Sequence, residues 1–487
     1  MKLTRFVFTH RCVITAFIGC CFFSNAAAQK QKPPNILIVI TDQWRGQALG
    51  FEHKEPVKTP NLDAFSRQSF VATQMVANYP VCSPSRAMLF TGQYPLKNHV
   101  YSNVNSSTAP DNIQLKTDAV CWSDVLKANG YNNGYIGKWH LDSPHPPYIP
   151  TSNNIGKVAW NEWTPPDRRH GFDYWYAYGT YDEHLEPMYW TTDAPRDSFH
   201  YVKEWGPSHE VGKALEFLEN RNGERDGKKP FSLVVSINPP HSNYTQVPRE
   251  YYELYKNIPL ESLLNDPDIP PAGTEMGDFY RKYIRYYYAA ITGIDDQVGR
   301  LLKGLEKLKL SDNTIVVFVA DHGNCLGKHD AESKNNIYEE SLRIPFMIRW
   351  AGHIKPRYDS VFLGSMPDLY PSLLTLIGLQ KDIPSAVDGK SYASYWLTGK
   401  GKMPSVQYIL GTINGRNPNS GFRGVRTADY KLAYVKAQGK IVPYLFDLKK
   451  DPFELKNIYD EQSSLVSSMR QQLLDWLTQN KDPFKIK

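Results

Sequence analysis

The chain is predicted to fold as an α/β protein: a large, mixed but mostly parallel sheet flanked by helices, then a small antiparallel sheet with a helix packed on it. Three observations predict this. Apolar runs at Asn35–Ile40, Tyr135–Ile136, Ser232–Ile237 and Thr314–Val319 read as buried parallel strands, continuous rather than alternating. Segments with helical spacing separate them, as in a layered α/β domain. From residue 405 or so the pattern changes to short runs at hairpin spacing, which reads as antiparallel.

The elements follow in order. Residues 1–28 read as an export signal: Lys2, Arg5 and Arg11 flank or precede the apolar Val13–Phe23, and Ala26-Ala27-Ala28 supplies a cleavage site. That run is too short to span a bilayer, and no other segment is apolar enough. The mature protein is therefore expected to be exported, periplasmic or secreted, with lipoprotein anchoring at Cys20 as the alternative. Pro33-Pro34 leads into the first strand, and Thr59-Pro60 opens a helix. Cys82-Ser83-Pro84-Ser85-Arg86 opens another, with Cys82 expected at its cap and Thr91-Gly92 at its end. Ser123–Ala128 is a helix stopped by Gly130, and Gly134–Gly137 is the next strand. Residues 143–205 are dense in Trp and Tyr, an ordered insertion rather than a linker. Helices are expected at Ser208–Asn220, Phe279–Leu308 and Pro367–Ile377, and a strand at Arg343–Trp350. Hairpin strands at Tyr408–Thr412, Phe422–Thr427, Lys431–Val435 and Tyr444–Asp447 precede a closing helix, Leu465–Leu477. The division is thus a leader (1–28), a catalytic α/β domain (29–404) and a C-terminal α+β subdomain (405–487).

Composition narrows the function classes. With 41% hydrophobic and 22% charged residues the chain is globular rather than disordered. The net charge of +6 over 487 residues is not gathered into basic runs, which argues against nucleic acid and suits a small anionic substrate. Three of the six cysteines lie in the leader. Cys82, Cys121 and Cys325 remain, and an odd number in an exported protein asks for one special thiol. Cys121 and Cys325 either pair or stay free.

The strand ends carry the chemistry. Asp42, Lys138 with His140, His241, and Asp321-His322 each follow one of the four apolar runs. Ligands of open α/β sheets bind beyond the carboxyl ends of the strands, so these residues are expected to share one pocket. The helix start at Cys82 offers free N–H groups to an anion, and Arg86 a planar fork for oxyanions. Asp42 and Asp321 suit a hard cation, and His322 widens the choice of metal. Lys138 and His140, two residues apart, fall on one side of an extended chain.

The run Cys82–Arg86, continued by Ala87-Met88-Leu89-Phe90-Thr91-Gly92, resembles the signature of the formylglycine-dependent sulfatases of the alkaline-phosphatase superfamily. The resemblance implies that a formylglycine-generating enzyme oxidises Cys82 to formylglycine (3-oxoalanine), whose hydrate is the nucleophile. It implies one calcium ion held by Asp42, Asp321, His322 and the residue 82 oxygen. Lys138, Lys334 and Arg86 would hold the sulfate, His241 would protonate the leaving group, and His140 would take the proton that releases sulfate. Two positions depart from the pattern: Thr41 stands where many members carry an acid, and His322 where many carry Asn. Gln43 is the oxygen donor available in place of the missing acid. The ring-rich stretch Trp160–Trp205 offers stacking faces for a sugar, or else core packing. His170, His184 and Arg416 are the substrate contacts it suggests, with Arg423 and Arg426 as further anion ligands or surface charge. A sulfated polysaccharide or oligosaccharide, algal or galactose-type, is the expected substrate. The alternatives are a phosphate or phosphonate monoester hydrolase, and a glycan-binding protein whose Cys82 is never converted.

Overall fold

Asn35–Thr41 is buried at every position, which is why its apolar run shows no alternation. In this computed structural model, residues 32–412, 417–437 and 439–486 are described, with positions 1, 4 and 7. The rest of the proposed leader, and Arg416, lie outside the described residues. Phe231–Ile237 and Thr314–Ala320 pair with Asn35–Thr41 in parallel on either side, and Asn132–Lys138 joins beyond Phe231–Ile237. Ten strands make this sheet, in the order Arg357–Asp359, Phe70–Ala72, Phe346–Arg349, Thr314–Ala320, Asn35–Thr41, Phe231–Ile237, Asn132–Lys138, Tyr174–Tyr178, Met188–Thr191, His200–Tyr201. Helices including Gly206–Glu219 and the 33-residue Glu275–Lys307 pack around it. Residues 34–487 form one unit.

Several elements differ from the sequence expectation, each for a local reason. The helix Cys82–Thr91 starts one residue early: Val81 is its cap, because Ser85 N donates to Val81 O at 3.0 Å. Cys82 therefore lies in the first turn, where N–H groups still lack intrahelical partners. The strand expected at Arg343–Trp350 is two, Arg343–Ile344 and Phe346–Arg349, because Pro345 between them has no N–H to give to a ladder. The insertion contributes three strands, Tyr174–Tyr178, Met188–Thr191 and His200–Tyr201, to the sheet edge. Trp175, Tyr176, Tyr178, Tyr181, Tyr189, Trp190 and Trp205 are all buried, so these rings pack the core and present no face to a sugar. Cys121 and Cys325 are both free and buried, so they do not pair.

The C-terminal strands Gln407–Gly411, Phe422–Arg426, Tyr430–Ala437 and Lys440–Asp447 form a separate antiparallel sheet, with the helix Ser463–Gln479 against it. Arg423 and Arg426 are neither surface charges nor free anion ligands. Arg423 Nε bonds Asp482 Oδ2 at 2.6 Å, and Arg426 Nη2 bonds Glu339 Oε2 at 2.8 Å, both guanidinium groups being buried. The second pair ties this sheet to the segment that carries Lys334.

One glycine is dictated by the sheet. Gly137 has φ +95°, and a Cβ there would lie 2.1 Å from Ser236 O on the neighbouring strand, so no side chain fits where the chain turns toward Lys138.

Glu210, on the helix Gly206–Glu219, faces this same region. Its Oε1 accepts from Tyr178 Oη at 3.3 Å and Tyr189 Oη at 3.2 Å, while Oε2 has no hydrogen-bond partner. Burial pushes its pKa from 4.5 up to about 8. Above 4.5 the unfolded chain gives up this proton while the fold retains it, so the group lowers stability as pH rises, until both states are ionised above about 8. The slope is at most about 1.4 kcal/mol per pH unit. Glu210→Gln is therefore expected to leave the melting temperature near pH 4.5 almost unchanged and to raise it at pH 8, as read by a pH series of thermal melts.

Candidate functional site

The sheet register brings the polar residues together. Asp42 N donates to Ile237 O at 3.0 Å and Asp321 N to Thr41 O at 3.0 Å, so each ladder runs one residue past its strand and both carboxylates emerge at the same edge. Cys82, at the start of its helix, meets them there. Its Sγ lies 3.6 Å from Asp42 Oδ1, 3.3 Å from His322 Nε2 and 3.0 Å from Lys334 Nζ. Residues 42, 82, 321, 322 and 334 thus share one buried centre, as the strand-end argument requires.

The centre is built as a cation cradle. Asp42, Cys82, Asp321 and His322 each point one ligand atom inward, all four within 4.8 Å of one another. His322 Nε2 stands 3.4 Å from Asp42 Oδ1 and 3.5 Å from Asp321 Oδ1. Its other nitrogen, Nδ1, lies 2.8 Å from Gly323 O, which places the ring proton on Nδ1 and leaves the Nε2 lone pair for a metal. Two carboxylates, an imidazole and the residue 82 side chain therefore fit a divalent cation. Gln43 sits beside this group with a left-handed backbone, φ 68°. Its Oε1 accepts from Lys334 Nζ at 2.9 Å and its amide donates to Tyr244 Oη at 3.0 Å.

Charge is concentrated here among buried side chains. Burial alone would raise the Asp42 carboxyl, but Lys138, His241 and Lys334 hold it well below the usual carboxylate range. Burial and the charge of Asp42 push Asp321 up to about 6. Burial works against charge on His322, yet Asp321 draws its pKa up to about 9. Burial and Asp42 would raise the Cys82 thiol; Lys138, Lys334 and His322 outweigh them and bring it well down. The site favours an anionic oxygen or sulfur at position 82.

Arg86 is placed differently from the sequence expectation. Its side chain is fully buried, with Nε 2.9 Å from Asp321 Oδ2, Nη2 3.3 Å from Asp42 Oδ2, and Nη1 2.8 Å from Lys138 O and 2.7 Å from Ser236 Oγ. Every guanidinium nitrogen is engaged, so Arg86 supports the carboxylates from beneath instead of forking onto a substrate anion. Lys138 Nζ is shared between Asp42 Oδ2 at 2.8 Å and Asn238 Oδ1 at 2.9 Å, which leaves one of its three protons free.

His140 joins the centre by another route than simple alternation. It has φ 57°, so the chain past Lys138 is not extended. Its Nε2 meets Val104 O at 3.0 Å, while the buried Nδ1 has no hydrogen-bond partner. Burial lowers its pKa against the opposing pull of Cys82, which makes it a free base at neutral pH. His241 has Nδ1 3.3 Å from Asp182 Oδ1 and 2.6 Å from Ser242 O. His184 bonds the carbonyl of His241 at 3.1 Å and, by burial, is brought down to about 4, so it is a neutral, buried support for that loop and not an exposed substrate contact. His170 is not brought to the centre. It bonds Ala119 O at 3.1 Å beside Asp124, and its side chain is only 3% exposed, which leaves no surface for a sugar.

The sequence reading gave no role at this centre to Ser236, Asn238 or Tyr244, and took Asp182 only as one of the polar residues among the rings of the insertion. Each lies one or a few residues from a residue that was read, but a single polar side chain in a strand or loop carries no pattern of its own.

Comparison with known proteins follows this geometry. The family model described as Sulfatase matches residues 34–379, and the one described as N-sulphoglucosamine sulphohydrolase, C-terminal, matches 327–481. The chain is 38% identical over 500 residues to the endo-4-O-sulfatase of Bacteroides thetaiotaomicron, covering 95% of this chain and 96% of that protein. It is 32% identical to the ulvan-active sulfatase of Formosa agariphila, covering 94% and 84%. A crystal structure from Bacteroides fragilis, provisionally assigned as a sulfatase, superposes with a TM-score of 0.90 at 50% identity, covering 94% and 98%. A phosphonate monoester hydrolase of Agrobacterium radiobacter shares the fold, at 21% identity and a TM-score of 0.69.

Proposed function

This chain belongs to the sulfatase family, and from that premise we propose that it removes sulfate from ester positions on a sulfated polysaccharide or its oligosaccharides. The observation that carries the reading is Cys82 Sγ held between Lys334 Nζ at 3.0 Å and the carboxylate and imidazole of the cation cradle. The 4-O-sulfatase and ulvan-active relatives support a glycan as the substrate class.

The chain's own residues divide the work. Asp42, Asp321 and His322, with the residue 82 oxygen, would hold a divalent cation, calcium in preference, which supplies charge neutralisation for the bound sulfate. Formylglycine at position 82, made by a maturing enzyme, would supply a hydrated aldehyde with two hydroxyls, one to bond sulfur and one to let sulfate go. Lys138, with a donor left over from its protein partners, and Lys334, beside residue 82, orient the sulfate oxygens. Arg86 and Ser236 keep the two carboxylates in place. His140, with its unpartnered Nδ1, accepts a proton at the end of the cycle. His241 delivers one to the departing oxygen. Export to the periplasm or beyond is part of the proposal, in keeping with the leader-like residues 1–28.

Sulfate release and phosphate release from matched aryl esters test the reaction class. Sulfate release is expected to exceed phosphate release by at least about 100-fold in kcat/KM, a difference of about 2.7 kcal/mol in the barrier. The reverse order would support the phosphoester alternative. A panel of 4-O-sulfated glycosaminoglycan and ulvan oligosaccharides then identifies the sugar. Mass spectrometry of the peptide containing residue 82 separates the enzyme from an unconverted binding protein.

A further inference from the structure

Asp182 has no part in the scheme above, yet among the described residues it is the carboxylate that forms an ion pair with His241. It lies in the loop that follows the strand Tyr174–Tyr178, in the insertion whose aromatic rings are mostly core. Its position is over-determined: Asn153 Nδ2 donates to Oδ2 at 3.3 Å, Asn238 Nδ2 donates to Oδ1 at 3.2 Å, and its own N–H donates to Asn153 Oδ1 at 3.3 Å. Oδ1 then stands 3.3 Å from His241 Nδ1. The other neighbours of Nδ1 are Ser242 O at 2.6 Å and, at the outer limit of a hydrogen bond, Ser242 Oγ at 3.5 Å. The two nearer groups, a carbonyl and a carboxylate, are both acceptors and the hydroxyl is farther off, so Nδ1 carries a proton and Nε2 is the nitrogen left to exchange one with a substrate. Asn238 also accepts from Lys138 at 2.9 Å, so one carboxamide sets both the sulfate lysine and the carboxylate behind the histidine.

We propose that Asp182 is a positioning residue for proton delivery: it holds His241 by Nδ1–H so that Nε2–H meets the departing ester oxygen. This inference rests on the sulfatase reading. As the S–O bond to the alcohol breaks, its electron pair stays on the alcohol oxygen. Nε2–H gives that oxygen its proton, and the ring becomes neutral with Nδ1–H still on Asp182. The electrostatics agree. Burial, Lys334 and Lys138 would lower the pKa of His241, but Asp42 and Asp182 carry it above its ordinary value, so the proton is available to give. The dependence on a neighbouring carboxylate is the logic by which an acid orients and charges a histidine at other hydrolytic sites.

The test is a leaving-group series, because a proton donor matters most when the alcohol is a poor leaving group. Matured wild type, Asp182→Asn, His241→Gln and the double variant are compared in kcat/KM on aryl sulfates from nitrophenyl sulfate to phenyl sulfate, with thermal melts alongside. Asp182→Asn is expected to lose at least about tenfold more on phenyl sulfate than on nitrophenyl sulfate. The double variant is expected to be no slower than His241→Gln alone, since the two residues act as one unit. Asp182→Glu, which keeps the charge, is expected to recover part of the phenyl sulfate rate, and it serves if Asp182→Asn melts early. A loss of equal factor across the series, or a double variant that falls by the product of the singles, overturns the role of Asp182 while the sulfatase reading stands. A matured wild type that hydrolyses none of these esters overturns both.

Discussion

Cys82→Ala is expected to reduce sulfate release by a factor on the order of 10⁴ or more while the fold persists. The side chain sits where three charged groups meet, with Lys334 Nζ and His322 Nε2 within 3.3 Å of the sulfur and Asp42 Oδ1 at 3.6 Å. Nothing else among these neighbours offers a nucleophile: two are cations or bases and the carboxylate is bound to Lys138 and Arg86. Cys82→Ser separates two parts of the scheme. A serine has one hydroxyl, so it can take sulfate but has no second hydroxyl to expel it. The expected outcome is a single turnover that stalls, with one sulfate on the peptide containing residue 82. Continuous turnover by the serine variant would mean that ordinary hydrolysis of a sulfate ester suffices here, and the formylglycine chemistry would be unnecessary.

Arg86→Met is expected to cost roughly 3–5 kcal/mol of folding stability, read as a lower denaturant midpoint. The guanidinium is the counter-charge that touches both Asp42 and Asp321, at 3.3 and 2.9 Å, and all three side chains are completely buried. Its loss leaves the buried Asp321 carboxylate without its guanidinium partner beside Asp42, which keeps only Lys138 Nζ at 2.8 Å among these cations. Added calcium is expected to restore more stability to this variant than to the wild type, because the cation then supplies the missing positive charge. Equal gains in the two proteins would argue against a cation between these carboxylates.

The sheet was readable because buried parallel strands leave a continuous apolar run. The four runs ending at residues 40, 136, 237 and 319 lie within one or two residues of the observed strand ends. The centre was readable for the same reason: Asp42, Asp321-His322 and His241 are polar residues set directly after such runs. What was hidden depends on contacts between distant segments. Arg86 reads as an anion fork from its neighbours in sequence, but Ser236 and the two carboxylates close around it. The ring-rich insertion read equally as a sugar platform or as core, and burial decided for core at Trp175, Tyr176, Tyr178, Tyr181, Tyr189, Trp190 and Trp205. A strand such as Tyr174–Tyr178, with aromatic residues on both faces, does not reveal which side meets solvent.

The enclosure of residue 82 would also set the order of events for the proposed conversion. Its side chain is 1% exposed, sits within a helix, and is walled by Asp42, His322 and Lys334. Another enzyme's active site cannot reach a sulfur placed so deep. The oxidation proposed for Cys82 would therefore have to happen on a nascent, still unfolded chain, and a copy that folds first would be closed to it while folded.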